Sequence, residues 1–540
     1  MIFIFAFIIS LVSTMVLIPP VMRWADKIGA IDIPDARKVH TQAIPRVGGI
    51  AMVAGSVISI LLLSELNQQI IAILFGFLVI WGFGLWDDKC NLNYKIKFLG
   101  QLLAVIIVVV WGDVIVHTFP FVDGPLPDYL AIPLTIFALV GITNAINLSD
   151  GLDGLAGGTS LITISIVALF AFDAGGEVLV LISMAVAGSI LGFLRHNTYP
   201  ARLFMGDTGS QFLGFSLGVL VVILTQTVNS AMSPITPLFI LGLPILDTMA
   251  VMGQRIYEHR SPFSADKNHI HHKLLDIGFD HYEAVFIIYL VQSVLISVAY
   301  FMMYESDMLL LIIYILVSTC VLGVFNIARI NNWSFRGSEE ADKSKLRYFI
   351  QDLRESGWLT TAPTKFLIFS VPLLFLLSSV FTTKIQLDMS VLAGVLLVVV
   401  LIVNIISFKY ADLFEKAVVY ILSVMSVYLM PLSDEGFEFY NMINILFVIV
   451  AIAFALRVRF SYEKTFQVTP LDYLVIILVI LVPNLPEAHL DESGFGEMAI
   501  KLIVLFYASE TIIGLSEKRM GVLRLGVVTS LSIIAFRGFS

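Results

Sequence analysis

Hydrophobic and polar residues alternate along this chain in long blocks rather than in the short period of a surface helix or strand. Apolar runs occupy about residues 2–22, 47–63, 70–86, 98–111, 129–146, 155–171, 178–194, 211–225, 235–253, 284–303 and 308–328. Runs of this kind predict helices that cross about 30 Å of hydrocarbon, the shorter ones with snorkelling flanks or local thinning. A polar stretch with both charge signs follows at 331–365, where residues 343–355 predict a short amphipathic helix. Further apolar runs lie near 366–382, 389–407, 417–432, 440–456, 470–484, 499–515 and 525–536. The pattern predicts an all-α polytopic membrane protein, with an eleven-helix core over 1–330, a cytoplasmic linker over 331–365, and a C-terminal bundle of six or seven transmembrane helices over 366–540.

Composition points the same way. Of 540 residues, 58% are apolar and 14% charged, and the mean hydropathy is +0.93. A soluble chain carries roughly 25% charged residues, so the bilayer is the main solvent. Two cysteines, Cys90 and Cys320, make neither a disulfide framework nor a metal cluster. The first run lacks a basic leader, and Pro19-Pro20 stands where a cleavage site would fall, which predicts a retained first span.

Charge placement sets an orientation. With the N-terminus outside, the inner loops hold Arg23, Lys27, Arg37, Lys38, Arg46, Lys89, Lys95, Lys97, Arg195, Arg202, Arg255, Arg260, Lys267 and Lys273. The outer loops 64–69, 112–128, 172–177, 226–234 and 304–308 contain no Lys or Arg. The reverse arrangement would break the positive-inside bias at every loop. The net charge of −9 adds little, and no nucleic-acid partner is expected.

Side chains that ligate metals and phosphates collect on the inner side. Asp87-Asp88 ends one run, and adjacent carboxylates on a helix project about 100° apart. One is therefore expected to face the reaction centre and the other to hold a loop or a basic residue; a solvated helix end is the plain alternative. Lys97 opens the next run, as an anion contact or a positive-inside anchor. Asn144-Ala-Ile-Asn147-Leu-Ser-Asp150-Gly-Leu-Asp153-Gly combines carboxylates with backbone freedom and a neutral oxygen donor. Oxygen-only donors suit Mg²⁺, while a helix cap at Asp150 or Asp153 would explain one acid only. Phe204-Met-Gly-Asp207-Thr-Gly-Ser210 sets a carboxylate at a helix start, where N–H groups favour anions. Phe204 offers a flat face to a base, or simply core. His269-Ile-His271-His272, with Arg260, Lys267 and Lys273 nearby, reads as an anion clamp for a nucleotide diphosphate, with a zinc site or a polar loop as alternatives. Lys38, His40 and Arg46, followed by Gly48-Gly49, also suit phosphate.

In order and in kind, these segments resemble the polyprenyl-phosphate N-acetylhexosamine-1-phosphate transferases of the WecA/MraY type. The matching pieces are His40…Pro45-Arg-x-Gly-Gly49, Asp87-Asp88, Asn144…Gly154, Phe204…Ser210 and His269…His272, across about residues 1–330. Their Pro-Arg-x-Gly-Gly and His-x-His-His forms look like the WecA-like branch. The resemblance implies transfer of an N-acetylhexosamine-1-phosphate, GlcNAc-1-phosphate foremost, from a UDP-sugar to undecaprenyl or another polyprenyl phosphate, releasing UMP and starting a cell-envelope glycan. It implies Mg²⁺, with Mn²⁺ as a substitute, held by Asp207 and Asn147. Asp87, Asp88, Asp150 and Lys97 would form the catalytic set, with Lys97 on phosphate. Asp153 and Phe204 would meet the uracil, and His269, His271, His272, Arg46, His40 and Lys38 would bind the rest of the nucleotide-sugar. An inner-membrane enzyme with a cytoplasmic site follows, and a homodimer is compatible with it. The rival readings are a membrane hydrolase of nucleotide-sugars or lipid diphosphates, and an ion-coupled transporter; the transporter would place its carboxylates near mid-span. The resemblance implies nothing about 366–540.

Overall fold

The structure, a computed structural model, describes residues 2–32, 43–261, 268–331, 358–382, 385–405, 411–430, 437–460, 495–513 and 517–538. These fall into two compact units, one within 2–331 and the other within 358–538. The expected amphipathic helix at 343–355 and the apolar run at 470–484 lie outside the described residues, as do Lys38 and His40.

In the first unit the apolar runs become helices α1 (Ile2–Ile28), α2 (Gly48–Leu63), α3 (Gln68–Cys90), α4 (Tyr94–Ile106), α5 (Asp128–Ser149), α6 (Leu155–Asp173), α7 (Glu177–Asn197) and α8 (Gly206–Ile223). They continue as α9 (Thr236–Ile240), α10 (Gly242–Tyr257), α11 (Ile270–Asp276), α12 (His281–Met302) and α13 (Asp307–Ile330). A wider π turn extends α4 over Ile107–Trp111 and α8 over Leu224–Val228. Two short strands, β1 (Ile31–Asp32) and β2 (Ile44–Pro45), pair antiparallel after α1. Among the described residues, ten helices are long and apolar enough to cross a membrane. The helix Gly48–Leu63 is shorter.

Local signals set the ends. Asn67 accepts from the Ile70 N–H at the start of α3, and Asn93 from the Lys95 N–H at the start of α4. Asp280 and Glu283 close a capping box on α12. The expected span at 235–253 is instead broken between α9 and α10, where Gly242 takes φ +37°. The break exposes backbone groups in an apolar setting, and Gln292 of α12 satisfies them. Its Oε1 accepts from Leu243 N–H, and its Nε2 donates to Ile240 O and Thr163 Oγ1. Irregular backbone at membrane depth is tolerated where protein supplies such partners.

Helices α6, α7 and α8 are the most enclosed, and α13 presents most of its surface outward. Small residues let backbones approach closely, the usual route to membrane-helix packing. A Cβ on Gly84 would lie 2.5 Å from Thr208 Cα, and one on Gly49 would lie 2.3 Å from Gly209 N. Helices α2 and α3 therefore both press on the first turn of α8.

The second unit contains α14 (Trp358–Phe381), α15 (Leu387–Ile405), α16 (Ala411–Leu429), α17 (Phe437–Phe460), α18 (Phe495–Ile513) and α19 (Glu517–Arg537). Helix α14 starts eight residues before the apolar run expected at 366. The core of this unit includes Leu374, Phe375, Leu422, Leu505, Leu531 and Ile534. Buried Lys501 sets its ammonium 5.8 Å over the Phe447 ring.

Gly84→Val should force α3 and α8 apart and destabilise the fold by about 1–3 kcal/mol. The expected result is a melting temperature several degrees lower in a detergent thermal scan. Gly141→Ala, whose Cβ would meet nothing within 4 Å, should leave the scan unchanged.

Candidate active site

The adjacent carboxylates at the end of α3 part company, as their 100° separation requires. Both are buried. Asp87 faces α4, where its Oδ2 lies 2.5 Å from Lys97 Nζ and its Oδ1 accepts from Leu92 N–H at 2.6 Å. Asn91, at φ +47°, turns the chain left-handed so that this N–H can reach back. Asp88 faces α8 and accepts from Asp207 N–H at 2.7 Å, Thr208 N–H at 3.1 Å and Thr208 Oγ1 at 2.6 Å. No side chain of α8's own flank caps that helix; Asp88 does so from another helix, satisfying N–H groups that would otherwise be orphaned.

Gly206, at φ +69°, clears room for this cap, because a Cβ there would sit 2.6 Å from either Asp88 oxygen. The loop ahead of α2 holds the same point from the other side. Gly48 and Gly49 N–H donate to Phe204 O and Met205 O, and Phe204 N–H donates to Pro45 O. Asp207 is thereby fixed at the mouth of α8. Its Oδ1 accepts from Asn147 Nδ2 at 3.1 Å, and its Oδ2 lies 3.4 Å from Lys97 Nζ. Lys97 thus bridges Asp87 and Asp207, joining the ends of α3, α4 and α8, with the last turn of α5 supplying Asn147.

The loop after α5 closes the site. Asp150 opens to solvent, yet its carboxyl is pushed up to about 7 by desolvation and by the charges of Asp207, Asp153 and Asp88. Because the residue stays open at the surface, crowding among carboxylates is the better physical account of this shift than burial. Asp153 is committed: its Oδ2 accepts from Ala201 N–H at 2.9 Å, and its carbonyl lies 3.2 Å from His281 Nε2. Asn197 accepts from Gly154 N–H and donates to Leu203 O, tying this loop to the one that precedes α8. Phe204 is half-buried within it.

The three histidines separate into different environments. His269 Nδ1 lies 2.8 Å from Asp247 Oδ2, and Asp247 Oδ1 accepts from Ile270 N–H at 2.9 Å. His271 is buried against Gly151, with Nε2 2.1 Å from where a Gly151 Cβ would be. Burial, then the neighbouring His272, pushes His271 down to about 3. His272 is half-buried and tilts across His271 at 4.3 Å. The histidine loop therefore packs on the loop after α5 at Gly151, with His269 and His271 buried. Arg46, read as a phosphate contact, lies 2.5 Å from Asp32.

Several partners were not singled out in the sequence. Asp247 carried a signal, a carboxylate inside an apolar run. Thr208 and Asn197 carried none, because their roles depend on loops that meet only in the fold.

Among the described residues no three His, Cys, Asp or Glu side chains converge as a ready metal cage. The mouth of α8 instead offers a sparse oxygen set, with the side chain of Asp207 26% exposed and Asn147 beside it. Mg²⁺ keeps several waters and is bound by one or two carboxylates together with substrate phosphates. This donor set fits such an ion, and the surplus of carboxylates over Lys97 favours a cation.

The family model for glycosyl transferase family 4 matches residues 70–225. The chain is 44% identical over 291 residues to a probable undecaprenyl-phosphate N-acetylglucosaminyl 1-phosphate transferase of Bacillus subtilis, covering 53% of this chain and 81% of that protein. It is 36% identical to a decaprenyl-phosphate N-acetylglucosaminephosphotransferase of Mycobacterium tuberculosis, over 50% of this chain and 75% of the relative. It is 29% identical to an undecaprenyl-phosphate alpha-N-acetylglucosaminyl 1-phosphate transferase of Escherichia coli, over 56% and 87% respectively.

Asp88→Leu should leave the first N–H groups of α8 unpaired, at a cost of about 1–3 kcal/mol. Hydrogen exchange at residues 207–210 should accelerate, with the middle of α8 unchanged. A pH test follows from His271, whose folded value near 3 lies below its ordinary 6.5. The unfolded chain takes up that proton first, so stability is lost as pH falls from about 6.5 toward 3, by up to about 1.4 kcal/mol per pH unit. Asp150, raised to about 7, acts in the opposite sense. Thermal scans of wild type and His271→Gln should therefore be compared from pH 7 to 5, where the Asp150 contribution cancels and the variant should lose less stability.

Proposed function

Because the chain belongs to glycosyl transferase family 4, we propose that its first unit transfers N-acetylglucosamine-1-phosphate from UDP-N-acetylglucosamine to a polyprenyl phosphate, undecaprenyl phosphate foremost, and releases UMP. The observation that carries this reading is Lys97, held between Asp87 and Asp207 beside Asn147, where four helix ends bring phosphate-binding chemistry to one end of a membrane bundle.

In this reaction a lipid phosphate oxygen bonds to the sugar-linked phosphorus, and the bridging oxygen leaves with UMP. Both partners are anions, and at about 4 Å each unit-charge pair repels by about 1 kcal/mol even in water. Catalysis is therefore chiefly positioning and charge stabilisation. Asp207, with Asn147, would hold Mg²⁺, or Mn²⁺ in its place. The ion, when bound, neutralises phosphate oxygens and stabilises charge on the transferring group. Lys97 adds a fixed cation at the same mouth. A phosphate monoester has a second pKa of about 6, so the acceptor needs no strong base.

The acidic pair then divides its work. Asp88, with both oxygens accepting from the start of α8, acts as a positioning residue. Asp87 orients Lys97. Asp150 faces the open side of the cluster, where an incoming anion requires a neutral carboxyl or a cation beside it. Asp153 holds the loop that carries Phe204, and Phe204 would meet the uracil. Within the histidine loop, half-buried His272 serves the nucleotide-sugar, while buried His269 and His271 hold the loop in place.

The lipid explains the location. An isoprenoid tail stays in hydrocarbon while its phosphate stands at the interface, within reach of helix ends. The one-sided Lys and Arg distribution supports a site facing the cytoplasm, with the N-terminus outside, in the inner membrane. The product would start a cell-envelope glycan.

The test is UMP release by the purified full-length protein with UDP-N-acetylglucosamine and Mg²⁺, with and without undecaprenyl phosphate. Release that requires both lipid and metal, with a lipid-linked sugar diphosphate as product, is the expected outcome. Asp207→Asn should lower turnover at least about 100-fold without changing the thermal scan. Lipid-independent release would favour a hydrolase, and full turnover by the variant would dismantle the site.

A further inference from the structure

One helical turn into the membrane from the proposed site lies a second layer of polar side chains. Lys97, Asn147 and Asp207 stand on α4, α5 and α8. Gln101 lies four residues after Lys97, Asn144 three before Asn147, and Gln211 four after Asp207. Those offsets place each amide on the same helix face as its partner. The three amides meet: Asn144 Nδ2 donates to Gln101 Oε1 at 2.8 Å, and Gln101 Nε2 lies 3.3 Å from both Asn144 Oδ1 and Gln211 Oε1. Gln101 and Gln211 are buried, and a further Asn144 hydrogen bond goes to Val140 O at 2.9 Å.

We propose that the Gln101–Asn144–Gln211 layer is a positioning device that sets the rotation of α4, α5 and α8, and thereby the spacing of Lys97, Asn147 and Asp207. The inference rests on the functional reading above. Apolar packing between helices in lipid tolerates small rotations, because tails and leucines are alike. An amide that rotates away from its partners in hydrocarbon meets no water to replace them. The reciprocal Gln101–Asn144 pair is directional at both ends, and Gln211 extends it to the helix that Asp88 caps. The loops fix the ends of these helices along their axes; the amide layer fixes them about their axes. None of the three amides is placed to touch a reacting atom, so their effect is transmitted through the site residues one turn above.

The test compares wild type with Gln101→Met/Gln211→Met, which keeps side-chain volume and leaves Asn144 its bond to Val140. The expected variant melts within a few degrees of wild type, binds UDP-N-acetylglucosamine with KM within about two-fold, and turns over about 10- to 100-fold more slowly. A second readout needs no activity. Pulse labelling of Lys97 with an amine reagent, read by mass spectrometry, should be several-fold faster in the variant as the lysine loses its fixed carboxylate partners. Wild-type kinetics with wild-type labelling in the folded variant would overturn the proposal. If the double variant does not fold, Gln211→Met, which leaves the Gln101–Asn144 pair, must show the same kcat loss and labelling in smaller measure, and wild-type behaviour there overturns it equally. A wild-type protein that releases no UMP would defeat the functional reading alone, and the labelling comparison would then decide the amide layer.

Discussion

The cap that Asp88 places on α8 is the constraint on which the rest of the site depends. A helix start buried among other helices carries N–H groups that water cannot reach. Asp88, 119 residues earlier in the chain, takes the Asp207 N–H, and it also takes Thr208 through both its N–H and hydroxyl. Gly84 and Gly206 are what permit the approach, since a side chain at either would strike Thr208 or Asp88 itself. Once α3 and α8 are joined in this way, Asp87 is turned toward α4 and Asp207 toward the open mouth. The charge pattern follows from the hydrogen bonds.

That arrangement concentrates carboxylates around one lysine. Asp87 and Asp207 share Lys97, while Asp150 stands near enough to Asp207, Asp153 and Asp88 for their charges to raise it. Such a cluster is poorly balanced alone. It is well matched to a reaction in which a divalent cation arrives with phosphates, because the same excess negative charge that strains the free site is then neutralised. The buried histidines and the Asp247 contact belong to the same logic. They pack the histidine loop against the acidic loop at Gly151 and leave Asp150 beside it open to solvent.

The second unit is organised by the same economy of buried polar groups. Thr382 Oγ1 donates to Leu429 O, and Ser390 Oγ to Ile534 O. Each satisfies a helix carbonyl from a neighbouring helix in an otherwise apolar core.

The sequence alone determined how the chain partitions between lipid and water, and at which run ends the acidic residues collect. Apolar blocks, one-sided basic loops and acids at run ends are local properties, written within one run or one loop. The caps at Asn67, Asn93 and Asp280 also act within three residues, although the hydrophobic pattern did not single them out. The fold alone decided which oxygen meets which donor. That Asp88 would cap α8, that His269 would pair with Asp247, and that Gln101 would meet Gln211 all join residues 22 to 120 positions apart. Alternation and spacing record only the environment that each residue seeks. Pairing at this range depends on where small residues let backbones approach and on which helix faces rotate together, and those are settled only when the helices pack.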